Sequence, residues 1–137
     1  MPGAVALIVV LMACALLIGQ VRLGLKWPDF LFVWLWSNLL FTCAAEEALF
    51  RGVIQRQLQG PQSSRMSSRS VAGLILAAII FGAAHYAGGQ WSVVLATVAG
   101  LGYGWVFGRT DRIEASILTH FLVNTAHILG FTYPAVT

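Results

Sequence analysis

Apolar residues run through this chain in five long blocks separated by short polar breaks. Gly3 to Gly19 is apolar throughout, and a break with Arg22, Lys26, Trp27, Pro28 and Asp29 follows it. The second block begins near Phe30, includes Trp34 and Trp36, and continues to about Gln57, where Gly60-Pro61 ends it. The third runs from Val71 to about Ala87 and closes at Gly88-Gly89. The fourth covers Trp91 to Phe107, and the fifth Ile113 to about Phe131. Blocks three to five reach or approach the ~20 residues that carry a helix across a bilayer. No period-two alternation appears, and an open sheet would leave backbone groups unpaired in lipid. The pattern predicts an all-α integral membrane protein, with about five transmembrane helices in one bundle and a single domain over residues 1–137.

Composition sharpens this. The 137 residues are 58% hydrophobic and 9% charged, with mean hydropathy +0.81, against about 25% charged residues in an ordinary soluble domain. The net charge of +3 is too small and too scattered to suggest a nucleic acid partner. No cation precedes the first block, so a retained helix fits better than a signal peptide, although Leu11-Met12-Ala13-Cys14 faintly resembles a lipoprotein cleavage site. Cys14 and Cys43 both lie in apolar surroundings and read as small hydrophobes, neither disulfide partners nor metal ligands. Arg56, Arg65, Arg69, Arg109 and Arg112 fall on one side of the expected bundle, with Arg22 and Lys26 on the other. That asymmetry predicts a cytoplasmic N-terminus and an external C-terminus.

Against this background Glu46-Glu47-Ala48-Leu49-Phe50-Arg51 stands out. Two of the five acidic residues sit side by side in an apolar helix. A charge at membrane depth costs at least ~3 kcal/mol, so such residues are rare and usually functional. His85, and the pair His120 and Asn124, are further polar positions in apolar blocks. Helix rise puts Glu46, His120 and His85 at depths of ~15, ~12 and ~20 Å from the cation-rich side, close enough to share one layer from three helices. Glu47 and Arg51 are four apart and can pair along the helix, while Glu46 points about 100° away. His120 and Asn124 share a face, with His127 on the same stripe. The cluster offers a carboxylate to activate water, an imidazole to hold a proton and donors for an oxyanion.

Milder readings exist for each part. Glu46 and Glu47 could form a structural ion pair with Arg51, though one arginine cannot neutralise two buried carboxylates. His120 and Asn124 could be interhelical hydrogen-bond glue. His127 reads as core or glue, Tyr86 and Trp91 as interfacial anchors, and Tyr103 and Trp105 as packing or interface residues. Ala96, Gly100, Gly104 and Gly108 form a small-residue stripe that reads as close helix packing, not as a phosphate loop. Two histidines and two glutamates could also hold zinc.

Glu46-Glu47-x-x-x-Arg51, Phe81-x-x-x-His85 and His120-x-x-x-Asn124 together resemble the three motifs of the intramembrane glutamic endopeptidases. This family includes the type II CAAX prenyl endopeptidases and the bacteriocin-processing and immunity proteins. The resemblance covers about residues 40–128, and larger members carry more helices. It implies that Glu46 is the general base with His85 beside it, that His120 and Asn124 stabilise the oxyanion, and that Glu47 and Arg51 orient the site. It implies no metal and no cofactor. The implied substrate is a membrane-anchored protein or peptide with a membrane-associated C-terminal segment, prenylated or bearing a sorting tail. The lipid bilayer, expected to be a bacterial inner membrane, is the other partner. A non-catalytic immunity or partner protein of the same fold, and a zinc-binding membrane protein or transporter, are the competing readings. Transport is disfavoured by the lack of an inverted repeat.

Overall fold

The computed structural model describes residues 2–60 and 68–132. Pro61, read above as part of the end of the second block, and Arg65, counted above among the cations on one side of the bundle, lie outside them. The described residues form an all-α protein. Helix α1 spans Pro2–Leu17 and α2 spans residues 31–59, unbroken but changing register. Helix α3 spans Ser68–Ala84, α4 Gln90–Thr110 and α5 Ile113–Gly130. Each coincides with one of the five apolar blocks to within a few residues. Gly60, at φ 74°, ends α2 in a left-handed conformation that a glycine adopts without strain. Tyr86–Gly88 forms a single 3₁₀ turn between α3 and α4.

One element had no sequence signal. Strands β1 (Arg22–Leu23) and β2 (Phe131–Thr132) pair antiparallel, with Arg22 opposite Thr132 and Leu23 opposite Phe131. Gly24 N–H to Gly130 O and Lys26 N–H to Leu129 O, both 3.0 Å, extend the tie. It fastens the α1–α2 connection to the end of α5. Two residues are too few to show alternation, so the pattern could not reveal it.

Helix α2 departs from α geometry twice. Asn38–Cys43 and Ala48–Gln55 are π-helical, and the Glu46-Glu47 pair lies on the short α segment between them. The wider register, with i→i+5 backbone bonds, occurs frequently at functional sites.

Helices α3 and α4 form the closest pair. A methyl group on Gly82 would meet the Val93 carbonyl oxygen at 2.8 Å, and one on Gly100 would meet Ala78 Cα at 3.2 Å. The expected small-residue stripe on α4 therefore holds through Ala96, Gly100 and Gly104, with Ala96 against the core. It stops before Gly108, which has nothing within 4 Å. The main apolar core joins Leu11, Phe50, Phe81, Ala99, Tyr103 and Val123 from all five helices.

Polarity is turned inside out. Glu47, Arg51, Gln55 and Ser116 are fully buried, while Phe32, Phe41, Ile79 and Trp105 lie on the exterior. A soluble protein does the reverse with its charges. Among the described helices, Gln90–Thr110 is long and apolar enough to cross a membrane, with mean hydropathy 1.4; Gly3–Leu17 and Arg69–Ala84 are apolar but shorter. By that measure one helix qualifies where five were expected. The polar load of the site is the physical reason in two of the others: α2 carries Glu46, Glu47, Arg51 and Arg56, and α5 carries Glu114, His120, Asn124 and His127.

Candidate active site

Glu47 is the structural centre of the polar cluster. Its Oε2 accepts from Arg51 Nε at 3.0 Å, one helical turn on, and from Ser116 Oγ at 2.6 Å. Its Oε1 meets His120 Nδ1 at 3.0 Å. One carboxylate from α2 thus holds two side chains of α5. Arg51 extends the network: Nη1 donates to Gln55 Oε1 at 3.4 Å, and Gln55 Nε2 donates to the Gly104 carbonyl at 3.0 Å. A methyl group on Gly104 would lie 2.8 Å from Gln55 Oε1 and 3.3 Å from Arg51 Nη1. The glycine therefore makes room for this buried arm as well as for helix packing. Ser116 Oγ also lies 3.1 Å from the Tyr103 carbonyl oxygen, which shares the one hydroxyl hydrogen with Glu47 and ties α4 to α5.

Glu46 behaves differently. It is only half-buried, yet its Oε2 is enclosed and meets no hydrogen-bond donor among the described residues. The ~100° turn between consecutive helical residues separates the two neighbours. One carboxylate is committed to the scaffold and the other has an uncommitted oxygen.

The histidines are fixed by aromatic contacts and by tautomer. Phe81, 2% exposed, is the hub. Its ring lies 4.7 Å from the His85 ring and 5.9 Å from the His120 ring, with the Arg51 guanidinium 5.4 Å over its face. Tyr103 stacks on His120 at 4.5 Å and 17°, so its role is to hold the imidazole flat. His85 Nδ1 lies 2.8 Å from the Phe81 carbonyl oxygen. A carbonyl can only accept, so Nδ1 carries the hydrogen and Nε2 of the neutral ring keeps its lone pair. An ionised Glu47 likewise accepts the Nδ1 hydrogen of His120, which leaves Nε2 as an acceptor in the neutral ring and as a donor in the imidazolium.

A cavity of about 390 Å³ opens beside these groups. His85, His120 and Asn124 line its polar part, and Leu11, Met12, Leu95 and Ala99 its apolar part. Three of the four residues expected to act on substrate therefore share one chamber. Glu46 is not among the described residues that line it. His127 lines the same chamber nearer the end of α5, stacked on Phe131.

Three polar residues were missed in the sequence. Ser116 and Gln55 carry neither charge nor motif spacing. Asn38 accepts from Cys43 Sγ at 3.2 Å and from Asn124 Nδ2 at 3.3 Å, and Asn124 Nδ2 also lies 3.6 Å from Cys43 Sγ. Cys43 is fully buried, as expected of a small hydrophobe, but it also serves as a donor. Among the described residues, no three His, Cys, Asp or Glu side chains come together in a way that could hold a metal ion.

A model of the type II CAAX prenyl endopeptidase Rce1-like family matches residues 27–126. The match begins earlier than the motifs do, and takes in the start of α2 with Asn38. No curated protein and no solved structure matches the chain.

Proposed function

This chain belongs to the Rce1-like family of type II CAAX prenyl endopeptidases, a membrane-embedded family, and on that premise we propose that it is an intramembrane glutamic endopeptidase. Its five helices cross the bilayer, with the N-terminus on the cation-rich side. It hydrolyses a peptide bond in the membrane-associated C-terminal segment of a protein substrate. The observation that carries the reading is the division of labour between two adjacent carboxylates. Glu47 is saturated by Arg51, Ser116 and His120, whereas Glu46 keeps a buried oxygen with no donor among the described residues. A general base needs such an oxygen; a purely structural pair does not.

In this reading Glu46 takes a proton from water as the water oxygen attacks the scissile carbonyl carbon. His85, with its Nε2 lone pair, steers that water. The carbonyl electrons move to oxygen, and the oxyanion is met by N–H groups of His120 and Asn124. Glu47 holds Nδ1 of His120, so the N–H that His120 offers the oxyanion is Nε2–H of its imidazolium form. Collapse of the intermediate re-forms the carbonyl and breaks the C–N bond, and the leaving nitrogen takes the proton held by Glu46.

The test is cleavage of internally quenched peptides by the purified chain in detergent. One peptide ends in a farnesylated cysteine followed by two aliphatic residues and a variable one. The other carries an unprenylated apolar tail. Cleavage of either supports an endopeptidase, and the preference between them identifies the substrate branch. If neither is cut, and a co-expressed membrane-anchored protein also stays intact, the chain is a binding or immunity protein.

A further inference from the structure

We infer that Asn38 is a positioning residue for this reaction: it holds the Asn124 amide so that N–H, not carbonyl oxygen, is available to the oxyanion. The inference rests on the function proposed above. None of the three motifs contains Asn38.

A carboxamide has two ends of similar shape and opposite polarity. Its terminal torsion is soft and roughly two-fold, so an unrestrained asparagine on a cavity wall samples both orientations. One of them points oxygen at a developing negative charge. Asn38 Oδ1 can only accept. By taking a hydrogen from Asn124 Nδ2 at 3.3 Å it selects the orientation that offers nitrogen. Cys43 Sγ, 3.6 Å from Nδ2, lies 3.2 Å from Asn38 Oδ1 and so on the same side of that nitrogen, which leaves the other N–H of Asn124 for the cavity that Asn124 lines.

Asn38 is itself held. It is 9% exposed, and the Cys43 thiol donates to the same Oδ1 at 3.2 Å, filling its second acceptor site. This contact depends on the helix register. In a regular α-helix the fifth residue on lies ~140° round the axis, out of reach. The π-helical segment Asn38–Cys43 widens the turn to i→i+5 and brings Cys43 under Asn38. The register change in α2 therefore builds a clamp on a residue of α5.

The alternative is that Asn38 merely fastens α2 to α5. A double-mutant cycle separates the two. With whichever quenched peptide the wild type cuts faster and the full chain in detergent, kcat, KM and thermal unfolding are measured for wild type, Asn38→Ala, Asn124→Ala and the pair. Asn124→Ala is expected to lower kcat by ~10²–10³, the usual loss of one oxyanion donor. Asn38→Ala should lower kcat about 10–100-fold with KM little changed, as misplacement of a catalytic group does. The double variant should be no slower than Asn124→Ala, because Asn38 then has nothing to position. Multiplying losses in the double variant, or an effect of Asn38→Ala on KM alone, would overturn the inference. Asn38→Ser offers Cys43 a polar group but is too short to reach Asn124, and serves the same comparison should Asn38→Ala fail to fold. A slow Asn124→Ala beside a normal Asn38→Ala or Asn38→Ser defeats the inference alone. Full activity in Asn124→Ala removes Asn124 from the oxyanion and the inference with it, while no cleavage of either peptide by wild type defeats the function beneath it.

Discussion

Glu46 and Glu47 are chemically identical neighbours with opposite circumstances. Glu47 accepts from Arg51, Ser116 and His120 and is wholly enclosed. The sequence suggested the Arg51 partner through i,i+4 spacing, because charges in an apolar block are conspicuous. It was silent on Ser116, Gln55 and Asn38, since a lone neutral polar residue in a helix carries no periodic or charge signal. The assignment of Glu46 as base came from the motif resemblance; only the fold distinguished a saturated carboxylate from an unsaturated one. Removing one partner of a buried pair strands the other, so Arg51→Met should cost roughly 3–5 kcal/mol, read as a fall in unfolding temperature in detergent. Combining it with Glu47→Leu should recover part of that loss, because two apolar groups leave no unpaired charge. Equal stability of Arg51→Met and wild type would mean that the ion pair does not organise the site.

The five apolar blocks foretold the five helices because a continuous apolar run with glycine or proline at its end leaves few alternatives. Register within a helix is another matter. The residues flanking the π-helical segments of α2 keep ordinary helical dihedrals, near −62° and −44° at Ser37, so no residue type betrays the change. Small residues on α4 were legible as a stripe, but not where the stripe ended. The prediction at this scale is a contrast of sign. Gly82→Ala drives a methyl group toward Val93 backbone and should destabilise by about 1–3 kcal/mol, since backbone cannot step aside cheaply. Gly108→Ala meets nothing and gains helix propensity, so it should be neutral or stabilising by up to ~1 kcal/mol. Thermal unfolding of the two variants checks both, and a loss in Gly108→Ala comparable to that in Gly82→Ala would contradict the packing described.

For the whole molecule, an apolar exterior surrounds a polar centre built by α2 and α5 and roofed by Phe81 and Tyr103. Composition made the membrane setting legible, and motif order singled out His85, His120 and Asn124, which the fold brings to one cavity. The cavity was not, because it depends on how α1 and α4 pack above the site. Two chemistries could use this residue set, and they differ in their need for an ion. Hydrolysis by Glu46 is expected to persist in EDTA and 1,10-phenanthroline; activity that chelators remove and zinc restores would replace the mechanism while keeping the site. The central claim is tested most directly by comparing wild type and Glu46→Gln on the same quenched peptides. Glutamine preserves shape but cannot take the proton. The expected result is cleavage by wild type and a loss of at least ~10²-fold in Glu46→Gln at unchanged unfolding temperature, the scale of a missing general base. Cleavage by a folded Glu46→Gln at a rate near that of wild type would contradict the account.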